Sequence, residues 1–290
     1  MVRVLVTTLD LAAIYALVAI GISLTWAGLG FLNLADGMVF AVAGYGAWLM
    51  AEHVSSNPLA VVLAGMAVGA AAGLLICLSV FLPLDGKLNA EMRTLIGTLA
   101  LSFLGTNVLQ AIFGPDSKAL PAIFGHGKFS VGGTVVTADK SGAIITATIL
   151  LALVVGGLLR SRIGLGVRIL TQNPEAAALV GIDRRRLALA ILAVSGAMAG
   201  LASVLLAQVF YVSPEAGYTP LIKGLIVALL GGLGSVPGTI LAALLVAATE
   251  ALTASYLGGQ YVLMTLFLLI AVVLLIRPRG LGGLLEAVRA

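Results

Sequence analysis

Two charged side chains of opposite sign, Lys223 and Glu250, stand beside long apolar runs in the second half of the chain. An ionisable group in such surroundings faces a cavity, pairs with another charge or reaches an interface. Because the two segments are neighbours in the chain, we expect Lys223 and Glu250 to form an ion pair. The pair would then belong to a path for a polar solute.

Hydroxyl side chains recur every four residues along one apolar stretch, at Thr94, Thr98, Ser102 and Thr106. Residues four apart share one face of a helix, so the spacing predicts a hydroxyl stripe. Such hydroxyls either bond to their own helix or a neighbouring one, or line a pore. The sequence leaves both alternatives open.

Catalytic and metal chemistry find little support in the sequence. His53 and His126 are isolated, and we recognise no convergent set of catalytic side chains. No Gly-x-x-x-x-Gly-Lys-Ser/Thr phosphate loop occurs, and the glycine-rich residues 231–238 lack the lysine that would reach a phosphate. With Cys77 as the only cysteine, an intrachain disulfide is excluded. We predict that the chain is not an enzyme and holds no metal or cofactor of its own.

The elements that position these residues are set by composition. Of 290 residues, 61% are apolar and only 10% are charged, against roughly a quarter charged in soluble domains. Apolar runs of about 20 residues recur, the length a helix needs to cross ~30 Å of hydrocarbon. We predict an all-α polytopic membrane protein with about eight transmembrane helices in a single domain, residues 1–290. A soluble enzyme, a disordered chain and a coiled coil are excluded.

Two segments interrupt the apolar runs: residues 28–37, which contain Asn33 and Asp36, and residues 231–238. Broken backbone at membrane depth is tolerated where protein or a watery cavity satisfies its amides, and paired breaks in two halves indicate a transport pathway. The alternative is that one or both are ordinary aqueous turns. If the breaks line a pathway, its candidate residues are Asn33, Asp36, Gly37, Ser102, Lys223, Gly234 and Glu250.

Glycines repeat every four residues at Gly65, Gly69 and Gly73, and again at Gly196 and Gly200. Small residues on one helix face let membrane helices approach closely. The repeats predict packing seams, either within this chain or with a second membrane subunit.

Basic residues are concentrated in short connections. Six arginines and two acids lie between Arg160 and Arg186, an excess equal to the net charge of +4 of the whole chain. Short loops rich in arginine face the cytoplasm, so we predict that loop 160–186 and the residues after Arg277 are cytoplasmic. The long connection 114–141 is then extracytoplasmic, either a solvated loop or a hairpin or short helix that faces an external partner. Nucleic-acid binding is not expected.

The arginine-rich loop contains a short helix signal. Asn173 is suited to the N-cap, Pro174 to the first position, Glu175 to the first turn and Gly181 to the stop. Two turns are not stable alone in water. This helix therefore needs a docking surface, on its own bundle or on a soluble partner.

The run Asn-Pro-Glu-Ala-Ala-Ala-Leu-Val-Gly at residues 173–181 resembles the Glu-Ala-Ala...Gly loop of binding-protein-dependent ABC importer permeases. The sequence is similar to the branched-chain amino acid permease family of the LivH and LivM type, closer to LivH. The similarity lies in residues 33–37, 228–238 and 277–280 and in Lys223 and Glu250. The likeness covers about residues 21–283 and is most specific from Arg168 onward. Asp36 is a departure, because many members carry histidine there.

The resemblance implies a type II-like permease bundle with discontinuous helices in the bacterial cytoplasmic (inner) membrane. Its expected partners are a second permease subunit, two ABC ATPase subunits that hold ATP and Mg²⁺, and an external solute-binding protein. The expected substrate is a branched-chain or related amino acid; other amino acids, urea and short amides stay open. The family's coupling helix, which contacts the ATPase, would comprise Pro174, Glu175, Ala176, Ala177 and Gly181.

A stand-alone ion-coupled secondary transporter of small polar solutes is the alternative, since it would also use broken helices. An uncoupled channel would leave the capped cytoplasmic helix unexplained.

Overall fold

The computed structural model describes residues 2–121, 123, 128–131, 134–172, 182–208, 210–278 and 280–282. In this part of the chain the secondary-structure elements are helices, one isolated β-bridge and one hairpin, which pairs β1 (Lys128–Val131) with β2 (Thr134–Thr137) antiparallel. The helices are α1 (Val2–Leu29), α2 (Asp36–His53), α3 (Pro58–Ile76), α4 (Ala90–Phe113), α5 (Ala138–Arg160), α6 (Arg162–Gln172), α7 (Arg184–Ala207), α8 (Tyr218–Gly231), α9 (Val236–Tyr256) and α10 (Val262–Ile276). A π-helical stretch, Cys77–Phe81, and a short turn, Leu82–Leu84, prolong α3.

Six helical segments in the described residues are long and apolar enough to cross a membrane. They are Val4–Leu29, Pro58–Leu84, Ala90–Phe113, Arg184–Ala207, Val236–Tyr256 and Gly259–Ile276. Shorter apolar helices, Thr148–Gly157 within α5 and Tyr218–Gly231, accompany them. The prediction of an all-α polytopic membrane protein is confirmed, and the hairpin lies inside the long connection 114–141.

Local sequence explains where several helices begin. The Asn57 side chain accepts a hydrogen bond from the Leu59 N–H at 3.0 Å, with Pro58 at the first position of α3. Asp183 accepts from the Arg185 N–H at 2.9 Å at the start of α7. Ser235 accepts from the Gly238 N–H at 3.3 Å at the start of α9. Each cap satisfies an amide that the first helical turn leaves without a partner.

The two glycine repeats pack against each other, α3 on α7. A Cβ atom added at Gly69 would clash with the Gly196 carbonyl oxygen, and one added at Gly200 would clash with that of Gly65. At Gly73 the clash would be with the Leu192 carbonyl. Of the two alternatives that the sequence left open, the structure therefore shows the internal seam.

We call one end of the bundle the arginine end, since Arg184 lies there and Arg277 precedes residues 280–282, which pack on the turn after α8. Gly28, at the end of α1, packs against Ile191 of α7, and the loop before α9 reaches Ala27. Arg184 also forms a 3.1 Å ion pair with Asp85, which follows α3. The opposite, far end contains the end of α4, where Phe113 stacks on Tyr45 and meets Trp48 edge to face.

Part of the predicted arginine-rich loop is itself helical. Helix α5 ends at Arg160, where the loop begins, and α6 follows directly within the loop. Val167 and Leu170 of α6 are buried in a cluster with Leu187 of α7 and Leu29 of α1. Residues 173–181, which contain the predicted coupling helix, lie outside the described residues.

Candidate functional site

The first interruption lies inside the bundle. Helix α1 ends at Leu29, where Gly30 adopts a φ of +77° and its N–H donates to the Trp26 carbonyl at 2.9 Å. After a non-helical stretch, the Leu34 N–H donates to the Thr98 hydroxyl at 3.3 Å. Thr98 is about two turns into α4 from the arginine end, so α2 begins within the bundle rather than at its edge.

Asn33 and Asp36 fix the shape of this break. The Asn33 side-chain amide donates to Asp36 Oδ1 at 2.6 Å, and Asn33 Oδ1 accepts from the Ala35 N–H at 3.2 Å. Both side chains are buried, and Asp36 stands in the first turn of α2, where the helix dipole favours negative charge. The pair therefore holds the broken backbone in place at the start of α2.

The predicted hydroxyl stripe on α4 is confirmed as a buried face. Thr94, Thr98, Ser102 and Thr106 are all buried, whereas most of the large apolar side chains of α4 are exposed. Thr98 accepts from Leu34 and donates to its own Leu95 carbonyl at 2.9 Å. Thr98 thus bonds to both its own helix and a neighbouring segment, and Ser102 lies one turn further along the same face.

The second interruption, residues 231–238, is a turn between α8 and α9 at the arginine end. Protein groups satisfy its backbone: Gly234 N–H donates to the buried Ser23 hydroxyl at 2.7 Å, and Gly282 N–H donates to the Gly231 carbonyl at 2.8 Å. Gly234 has a φ of +91°, which favours glycine. The structure thus places Gly234 away from Lys223 and Glu250, about two helical turns along α1 from the level of Tyr15.

Substituting Ser23 with alanine is expected to lower the free energy of unfolding by about 1 kcal/mol, the usual net value of one such hydrogen bond. Thermal unfolding in detergent measures this. Ser79→Ala is the control, because the Ser79 hydroxyl is exposed and donates to its own helix at Leu75. Equal midpoints for the two variants would show that the Ser23 bond does not stabilise the turn.

Lys223 and Glu250 form the predicted ion pair. Lys223 Nζ lies 2.6 Å from Glu250 Oε1, and the two side chains are only 11% and 12% exposed. Tyr15 of α1 completes the cluster: its hydroxyl accepts from Lys223 Nζ at 2.9 Å and donates to Glu250 Oε2 at 2.8 Å. The triad joins α1, α8 and α9.

Tyr15 was missed at the level of sequence. The available signal was its position, since a tyrosine in the middle of an apolar run must find a partner for its hydroxyl when buried. The sequence does not show which partner that is, because Tyr15 and Glu250 are far apart along the chain.

The triad lines a cavity of about 390 Å³, within the range of about 300–1,000 Å³ typical of small-ligand sites. Phe40 and Ala41, one turn after Gly37 on α2, form part of its wall, so the cavity adjoins the first break. Apolar and hydroxyl side chains share the remaining surface, among them Leu11, Leu206, Phe210, Ser117, Ser203 and Thr219.

Two loops line the cavity toward the far end. Lys118 and Val212 form an isolated antiparallel bridge, each N–H donating to the other's carbonyl at 2.8 Å. Their neighbours Ser117 and Tyr211 line the cavity. If a solute enters the cavity from the far end, the bridge between these two loops would have to open to admit it.

A Lys118→Cys, Val212→Cys variant is expected to lose several-fold in solute uptake when oxidised and to recover on reduction. Hydrogen-bonded antiparallel pairs have Cα atoms about 5.5 Å apart, which suits a disulfide. Uptake into proteoliposomes, with and without reductant, measures the effect. Cys77 is buried, and each single-cysteine variant is the control. Full uptake with the disulfide formed would show that the bridge need not open.

The structure is a multi-pass bundle of apolar helices, in which one crossing is interrupted and a buried ion pair lies beside a cavity. These features are typical of membrane transport proteins. The family model described as branched-chain amino acid transport system / permease component matches residues 4–277. The chain belongs to this family.

Curated relatives agree with this assignment. The high-affinity branched-chain amino acid transport system permease protein LivH of Salmonella typhimurium is 29% identical, over 94% of this chain and 92% of its own length. BraD of Pseudomonas aeruginosa, of the same description, is 30% identical over 96% and 94%. The probable LivH of Methanocaldococcus jannaschii is 28% identical over 92% and 88%. No solved structure matches the chain.

Proposed function

We propose that this chain is the transmembrane permease subunit of a binding-protein-dependent ABC importer for branched-chain or related amino acids, in the bacterial cytoplasmic membrane. The observation that carries the proposal is the match to branched-chain amino acid transport permeases over nearly the whole chain. The cavity beside the Lys223–Glu250 pair and the interrupted crossing support it, since both are features of a transport pathway.

The proposed mechanism is alternating access. An external solute-binding protein docks at the far end, over the Lys118–Val212 bridge, and delivers the solute to the cavity. The solute then passes the first turns of α2, beside Asn33, Asp36 and Gly37, toward the arginine end. Gly37 packs against the Gly217 backbone at the start of α8, so movement of α2 and α8 together would change both the cavity and the break.

In this mechanism two ATPase subunits act at the arginine end and hydrolyse ATP, while a second permease subunit completes the pathway. Their contact would be the predicted coupling helix, Pro174, Glu175, Ala176 and Ala177 with the stop at Gly181. The described residues on either side supply a mechanical link. Helix α6 packs on α7, and α7 forms the glycine seam with α3, so force applied between α6 and α7 would reach both.

Reconstitution with the candidate partners tests the proposal. Leucine uptake is expected to require ATP, the ATPase subunits and the binding protein. A cysteine at Glu175 or Ala177 is expected to crosslink to an ATPase subunit. Leu104→Cys is the control, because this α4 side chain is 63% exposed on the apolar surface. Uptake by the chain alone under an ion gradient, without ATP, would instead support a secondary transporter and contradict the importer.

A further inference from the structure

We propose that the cavity beside Tyr15, Lys223 and Glu250 is a binding site for the ammonium and carboxylate groups of a zwitterionic amino acid. Glu250 would accept from the ammonium group, and Lys223 would donate to the carboxylate. The inference deepens the proposed function and rests on it for the identity of the transported solute.

Hydrogen-bonding capacity is the first argument. Within the described part of the chain, Lys223 donates to Tyr15 and Glu250, which leaves one N–H group of the ammonium for a ligand. Each Glu250 oxygen accepts one hydrogen bond, from Lys223 or Tyr15, and a carboxylate oxygen can accept a second. The same pair therefore offers a donor and acceptors side by side.

Net charge is the second argument. The ion pair is almost fully withdrawn from solvent, so an added unpaired charge would carry a large desolvation cost. A zwitterion adds no net charge, and its opposite groups, joined through one carbon, match the adjacent charges of the pair. A ligand with only the ammonium or only the carboxylate would leave the site charged.

The surroundings fit the rest of such a ligand. Leu11, Phe40 and Leu206 form an apolar wall for an aliphatic side chain. Thr219 and Pro220, in the first turn of α8, also line the cavity, and the positive end of that helix dipole favours the carboxylate. The volume of about 390 Å³ is near the lower end of the range of about 300–1,000 Å³ for small-ligand sites, which suits a single amino acid.

The test compares three probes on the full chain in lipid nanodiscs, by ligand-detected NMR and thermal shift, without ATP or partners. The probes are L-leucine, L-leucinamide, which lacks the carboxylate charge, and 4-methylpentanoate, which lacks the ammonium. Leucine is expected to bind at least about tenfold more tightly than either analogue, since one charge-assisted hydrogen bond is lost in each.

The Lys223→Met, Glu250→Gln double variant is expected to lose leucine binding by about tenfold or more while still unfolding cooperatively. Thr249→Val is the matched control, because Thr249 neighbours Glu250 but donates to its own helix at Leu245. Tyr15→Phe keeps both charges and serves as a second test variant in case the double variant misfolds. It is expected to weaken leucine binding less than the double variant does.

Equal binding of leucine and leucinamide to the unmodified chain, or unchanged leucine binding by the double variant, would overturn the site. Either result together with ATP-dependent leucine uptake by the assembled importer would leave the proposed function standing. Selective leucine binding in a chain that needs no ATPase would support the site and overturn the importer.

Discussion

Substituting Lys223 with methionine alone is expected to lower the free energy of unfolding by about 3–5 kcal/mol, the cost of leaving one buried charge without its partner. Glu250 would keep only the hydrogen bond from Tyr15, in a site where its carboxylate is 12% exposed. The measurement is the unfolding midpoint of the purified chain in detergent, followed by circular dichroism.

Adding Glu250→Gln to Lys223→Met is expected to recover most of this loss. The double variant removes both charges, and the glutamine can still accept the hydrogen bond from Tyr15. Since the two side chains are in direct contact, the effects of the single substitutions should not add. A double variant that loses as much as the sum of the two singles would refute a stabilising role for the pair.

Substituting Gly69 with valine is expected to disrupt the seam between α3 and α7. A Cβ there clashes with backbone atoms of Gly196, which cannot rotate aside as a side chain can. Overpacking costs about 1–3 kcal/mol in ordinary cores, and we expect the upper part of this range because several glycines share the seam. The folded fraction after detergent extraction and the unfolding midpoint measure the effect.

Gly157→Val is the matched control, since a Cβ at Gly157 in α5 meets no atom within 4 Å in the described structure. The same residue type is then introduced into a helix without a close backbone contact. If Gly69→Val and Gly157→Val unfold at the same temperature, the close approach of α3 and α7 does not contribute to stability.

Much of the site could be predicted from residue type and spacing. The pairing of Lys223 with Glu250 followed from opposite charges in neighbouring apolar segments, and the stripe through Thr98 and Ser102 followed from helical periodicity. A charge in an apolar segment needs an opposite charge nearby, and hydroxyl groups four residues apart share one helix face. Both conditions can be recognised from residue type and spacing alone.

The two interruptions could not be told apart in the same way. Both combine glycine with polar residues, yet residues 28–37 contain a break inside the bundle and residues 231–238 form a turn at the arginine end. Thr98 accepts the hydrogen bond from the Leu34 N–H in the first segment, and Ser23 accepts the one from the Gly234 N–H in the second. Because each pair of residues is far apart in the chain, neither contact can be read from the local sequence.

The sequence by itself determined that this is a multi-pass helical membrane protein of the branched-chain amino acid permease family, because apolar run length and the family's motifs are local properties. The tertiary structure alone decided that Tyr15 joins Lys223 and Glu250, that the glycine seams meet within one chain, and that the ion pair borders a cavity. The physical reason is that lipid offers no polar partner, so buried hydroxyls and charges must be satisfied by whichever helices pack beside them.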